Sequence, residues 1–174
     1  MKSLRTFLLC LLLLPAVAMA KDLAVGDMAP NFSLQASDGK TYTLADYKDK
    51  QAVVLAWFPK AYTKGCTIEC KSLAQHGDMI RAYDVTYFMA SVDALDDSKG
   101  FAKENAADFP LLSDPTKETA KAYDVLVPIL GFAKRHTFYI GKDGRILKID
   151  GDIKPETSAE DMAKTLGELG VAKR

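Results

Sequence analysis

The pattern of apolar and polar positions changes period along the chain, and each change marks an element. Residues 52–58, AVVLAWF, form an unbroken apolar and β-branched run, which predicts a strand buried on both faces. Pro59 ends it. Across 67–83, Leu73, His76, Ile80 and Tyr83 recur at helical spacing and predict a helix with those residues on its inner face. VTYFMASVD, at 85–93, reads as a second buried strand, 96–105 as a helix and 117–123 as a short helix. Residues 31–34 and 41–43 flank the turn ASDG and predict an N-terminal β-hairpin, and HTFYI and RILKID flank GKDG as another. Thr157-Ser158-Ala159-Glu160 has the capping-box pattern and opens a last helix to about residue 169. Strands alternating with helices, then a hairpin and a final helix, predict an α/β sandwich with a central mixed sheet between helices.

The first twenty residues stand outside this pattern. Lys2 and Arg5 precede the apolar stretch FLLCLLLL, and Ala18-Met19-Ala20 supplies small residues for cleavage, the order of an export signal. The stretch falls short of the ~20 apolar residues that a spanning helix needs, which weighs against an uncleaved anchor. Cys10 sits inside it, away from the place of a lipid-modified cysteine. The expectation is an exported protein, periplasmic or secreted, with a single domain over residues 21–174 and no membrane attachment after cleavage.

Charge narrows the function. Setting Lys2 and Arg5 aside, the 23 basic residues become 21 against 23 acidic ones, a net charge of about −2. That balance gives no footprint for nucleic acid or acidic lipid. Cys66 and Cys70 alone remain of the cysteines, far too few for a disulfide scaffold. With two histidines and no C-x-x-C, they make no zinc ligand set, and no metal or cofactor is expected.

Cys66 and Cys70 therefore concentrate the chemistry. The chain leaves the predicted strand 52–58 at Pro59, runs through KAYTKG and enters a helix with Cys66 in its first turn. A strand's carboxyl end followed by a helix N-terminus is where α/β sheets place ligand sites. The unpaired N–H groups there favour a thiolate. Gly65 permits close approach of the backbone, and Thr63 offers a hydroxyl to the sulfur or to a bound oxygen. The competing reading is a capped helix start with an inert, buried cysteine.

Pro59-Lys60-Ala61-Tyr62-Thr63-Lys64-Gly65-Cys66 resembles the P-x-x-x-T-x-x-C motif of peroxiredoxins, the thiol peroxidases of thioredoxin-like fold. The continuing GCTIE is similar to the Q-type, or bacterioferritin-comigratory, branch. The likeness runs from GDMAPNFSLQASDGKTYTL to the closing helix, and KRHTFYIGKDGRI resembles the family's R-x-T-F strand. It implies that Cys66 is the peroxidatic thiolate and becomes a sulfenic acid. Thr63, Arg135 and nearby N–H groups hold the peroxide oxygens. Pro59 shapes and shields the loop. The implied partners are a hydroperoxide substrate and a thioredoxin-like or low-molecular-weight thiol reductant.

Cys70 departs from the branch, whose resolving cysteine commonly falls five positions after the first, where Lys71 stands here. Residues four apart on an intact helix have Cβ atoms about 5–6 Å apart, whereas a disulfide needs about 3.5–4.5 Å. Cys70 is thus either a resolving thiol that requires the first turn to loosen, or core packing beside Leu73, Ala74 and Gly77. No cysteine follows it, which predicts a monomer or weak dimer. Glu69 reads as an ordinary first-turn acid, Trp57 as core packing and His76 as structural, and His136, next to Arg135 and able to tune the site, is assigned no role in it. One rival function is an exported thioredoxin-like thiol–disulfide oxidoreductase. It calls for C-x-x-C and for proline where His136 stands. A second rival, a non-catalytic module of the same fold, predicts no activating residues around Cys66.

Overall fold

A computed structural model of the protein describes residues 22–174. The export signal read at 1–20 and Cys10 lie outside the described residues. Seven strands form one sheet: β1 (Ser33–Ala36), β2 (Thr41–Thr43), β3 (Ala52–Trp57), β4 (Val85–Ser91), β5 (Leu111–Ser113), β6 (His136–Ile140) and β7 (Ile146–Asp150). Their order is β2-β1-β5-β4-β3-β6-β7. β3 with β4 and β4 with β5 run parallel, and every other pair is antiparallel. The helices are α1 (Lys64–Arg81), α2 (Leu95–Glu104), α3 (Glu118–Ala122) and α4 (Ser158–Glu168). Among the described residues no helix is long and apolar enough to cross a membrane.

The run AVVLAWF explains the centre of the sheet. All of β3 is buried, and its alternate side chains enter two different cores. Val54, Ala56 and then Phe58 meet Leu73 and Ile80 of α1, Met162 and Leu166 of α4 and Phe101 of α2. Val53, Leu55 and Trp57 meet Phe88, Phe138 and Tyr123 on the opposite side. Each large apolar side chain so buried contributes about 1.5–3 kcal/mol. The predicted mixed sheet between helices, with an N-terminal hairpin, is what forms.

Several local expectations need correction. β5 carries no periodic signal in three residues, and its strand geometry comes from pairing with β4 and β1 on either side. α1 begins at Lys64, ahead of the predicted start. His76 leaves helical geometry at φ −121° and ψ 15°, which turns its side chain off the apolar stripe to half-exposure, 4.0 Å from Glu160. Gly77 follows, and there α1 runs so near β4 that a Cβ would collide with the Tyr87 hydroxyl.

The capping box is also not made. The Thr157 hydroxyl donates to the Asp161 carboxylate at 2.6 Å and makes no hydrogen bond to a backbone group at the helix start. A 3₁₀ turn over Pro155–Thr157 leads directly into α4, and the Ala159 N–H there donates to Ser72 of α1 at 3.3 Å. Tertiary packing replaces the local cap.

Candidate active site

Pro59 follows the end of β3 and is half-buried. Beyond it, the Ala61 N–H donates to the Asp93 carboxylate at 2.8 Å, which ties the loop to the turn after β4. Thr63 is the N-cap of α1 in extended geometry. Its hydroxyl donates to the Lys60 carbonyl at 2.9 Å, so its proton is spent within the loop and its oxygen is left as an acceptor. The first intrahelical bond runs from Thr67 N–H to the Thr63 carbonyl at 2.9 Å. Gly65 and Cys66 N–H groups therefore have no acceptor inside α1, and the positive end of the helix lies at the sulfur.

Antiparallel pairing sets Trp57 opposite His136, which brings the start of β6 beside the end of β3. Arg135, one residue earlier, reaches the loop from there. Its Nη2 donates to Cys66 Sγ at 3.1 Å. A Cβ on Gly65 would lie 3.2 Å from that same nitrogen and 3.9 Å from Pro155 Cγ, so the absence of a side chain makes room for the guanidinium. Cys66 is 1% exposed. The sulfur is enclosed, with a permanent cation as its polar neighbour.

Glu69 is not the ordinary first-turn acid that its position suggests. It is 0% exposed, and its Oε2 accepts a short hydrogen bond from Arg135 Nη1. The guanidinium is thus forked between a carboxylate and a thiol carried on one helix. Burial pushes the Glu69 carboxyl up to about 7, outweighing the Arg135 charge that pulls it down. The signal available in the sequence was spacing, since an acid three residues after Cys66 shares its helix face.

Cys70 sits one turn further along α1, 0% exposed, within the core of Leu73 and Met89. Burial, aided by the charges of Glu69 and Cys66, pushes its thiol up to about 12. Both cysteines carry free thiols. His136 does not enter the site. As cross-strand partner of Trp57 it lies on the other face of the sheet, where burial lowers its pKa. Trp57 is core, as read. Among the described residues no three His, Cys, Asp or Glu side chains gather as a metal site.

The mixed α/β sheet between helices, with an enclosed thiol at a helix start beside an arginine, is a thioredoxin-type fold. Residues 25–149 match the AhpC/TSA family, and the chain belongs to that family. It is 30% identical over 151 residues to "Peroxiredoxin Bcp" of Bacillus subtilis, covering 83% of this chain and 96% of that one. It is 31% identical over 138 residues to "Peroxiredoxin Bcp" of Escherichia coli, covering 76% and 88%. Among solved structures, peroxidoxin BcpB of Mycobacterium tuberculosis superposes with a TM-score of 0.76 at 27% identity, over 84% of this chain and 97% of that one. A cysteine-to-serine mutant of PrxQ from Xylella fastidiosa gives 0.73 at 26% identity, over 87% and 99%. These relatives support a Q-type peroxiredoxin, a peroxidase of the oxidoreductase class.

Proposed function

We propose that Cys66 reduces hydrogen peroxide or an organic hydroperoxide by a two-step thiol cycle. In the first step the Cys66 thiolate attacks the terminal peroxide oxygen. An S–O bond forms, the O–O bond breaks, sulfur gives up two electrons, and the alkoxide or hydroxide leaving group takes a proton to become alcohol or water. Arg135 stabilises the thiolate and then the charge growing on the leaving oxygen, with the N–H groups of Gly65 and Cys66 assisting. Thr63 accepts a hydrogen bond from the hydroperoxide, and Pro59 shields the loop. The observation that carries this reading is the 3.1 Å contact from Arg135 Nη2 to Cys66 Sγ.

In the second step the sulfenic acid condenses with a thiol, forming S–S and releasing water. Cys70 is the proposed partner, reached when the first turn of α1 opens. Its complete burial within a closed helix favours a second reading, in which an outside thioredoxin-like or small thiol reduces Cys66 and Cys70 is packing. We also propose that residues 1–20 direct export, to the periplasm or beyond the cell, and that the exported chain is a monomer or weak dimer.

Stopped-flow mixing with hydrogen peroxide tests the first step: one thiol should be lost rapidly, and Cys66→Ser should abolish the loss. If a disulfide substrate consumes the thiols and peroxide does not, the oxidoreductase reading replaces this one. Mass spectrometry separates the two forms of the second step. Loss of two hydrogens linking residues 66 and 70 means resolution within the chain, and a single overoxidised sulfur means an outside reductant.

A further inference from the structure

Tyr62 stands between Pro59 and Thr63, with φ of 63°. This is the left-handed region, which glycine enters freely and a tyrosine does not. Its side chain is 50% exposed, yet it is anchored on three sides. The ring meets Phe101 of α2 edge-on at 5.4 Å, and Phe101 in turn stacks on Phe58 at 5.7 Å. The hydroxyl donates to the Asp97 carbonyl of α2 at 3.3 Å. Beneath it α2 has Gly100, where a Cβ would collide with the phenol oxygen. α2 is therefore notched to seat this tyrosine, and the seat holds residue 62 in a conformation that its own backbone disfavours.

The reaction needs two arrangements of this segment. Oxidation needs Cys66 beside Arg135, as seen. Resolution needs the sulfur to leave, because at 1% exposure no outside thiol reaches it, and Cys70 lies a full turn away on a closed helix. The residues joining α1 to β3 must then move, and their tether is the pair Ala61–Asp93 and Tyr62–α2. Releasing the phenol lets residue 62 relax from the left-handed region, so the strain favours opening and the aromatic seat opposes it.

We infer that Tyr62 is a positioning residue, a latch whose docking on α2 holds Cys66 in its reactive place and whose release governs access of the resolving thiol. This rests on the peroxidase reading of Cys66. In the first step, thiolate and hydroperoxide give sulfenic acid and alcohol. In the second, sulfenic acid and thiol give disulfide and water. The latch favours the first step and retards the second.

The test uses the full chain and its Tyr62→Ala, Tyr62→Phe and Gly100→Ala variants, with circular dichroism to establish folding. The rate of thiol loss to hydrogen peroxide reads the first step. Disappearance of dimedone-trappable sulfenic acid, with and without added dithiothreitol, reads the second. Tyr62→Ala should slow the first about tenfold and speed the second about tenfold. Gly100→Ala, which fills the seat and keeps tyrosine at position 62, should shift both in the same directions. Tyr62→Phe should fall between these and the unaltered chain. Amide hydrogen exchange at Thr67, whose N–H donates to the Thr63 carbonyl, should rise at least tenfold in Tyr62→Ala while 73–80 stay protected.

A merely structural tyrosine would slow both steps together, or leave both unchanged with exchange unaltered, and either result overturns the latch. If the unaltered chain does not react with peroxide, the peroxidase reading fails, and exchange at Thr67 then decides the latch by itself.

Discussion

Arg135 and Glu69 lie 66 residues apart in the chain and form a buried ion pair, 20% exposed on the arginine side and 0% on the glutamate side. The pairing fixes one arm of the guanidinium and aims the other at Cys66. A planar guanidinium serves the two acceptors from two separate nitrogens in fixed directions, whereas an ammonium must reach both from a single nitrogen.

Arg135→Lys should therefore fold normally and react with hydrogen peroxide about 100-fold more slowly, the scale of removing one donor from a charge-stabilising site. Competition kinetics against a second peroxidase would measure it. A rate within about threefold of the unaltered chain would show that charge alone suffices and the fork is unnecessary.

The Glu69 carboxyl rises from 4.5 to about 7 because it is buried. Between those values the folded chain keeps this proton and the unfolded chain has released it. The resulting stabilisation is complete below pH 4.5. It is lost as pH climbs through about 7, by about 3 kcal/mol for this one group. Urea midpoints should fall across that window, and in Glu69→Gln, which cannot ionise, they should fall much less. Parallel curves for the two proteins would rule the assignment out.

Burial pushes the Cys70 thiol up to about 12, so at pH 8 its thiolate fraction is about one in ten thousand. Iodoacetamide at that pH should reach Cys66, 1% exposed, only as the loop before α1 opens, and should leave Cys70 unmodified until denaturant is added. Peptide mapping reads both sites at once. Early alkylation of Cys70 would mean that the first turns of α1 open freely without oxidation.

Gly77→Ala sets two effects against each other. Alanine raises helix propensity by about 1 kcal/mol, but its Cβ collides with the Tyr87 hydroxyl, which is fixed by Arg81 at 2.7 Å. Overpacking of this kind costs about 1–3 kcal/mol. The net expectation is a melting temperature lower by about 2–4 °C, largely recovered when Tyr87→Phe removes the obstructing oxygen. A melting temperature that rises in the single variant would show that helix propensity wins.

The elements legible in the sequence are those whose side chains carry a period. AVVLAWF predicts a doubly buried strand because a central strand has no polar face to show, and β3 is that strand. The two hairpins follow from turn residues flanked by short apolar runs. β5 is invisible because three residues between Pro110 and Asp114 are too few to display alternation. His76 has helical spacing with Leu73 and Ile80, but the break in α1 beside Gly77 turns it outward. Spacing reports a face only while the helix stays regular.

By itself the chain determines an α/β sandwich and sets Cys66 where a strand hands over to a helix, since both follow from local preference and burial. It also marks Arg135 as a residue near the site, through the motif around it. Only the tertiary structure decides that Glu69 is a buried partner of that arginine, that His136 faces away and that Tyr62 is seated on α2. Those outcomes depend on which surfaces meet when distant segments pack, and no local pattern of side chains encodes that meeting.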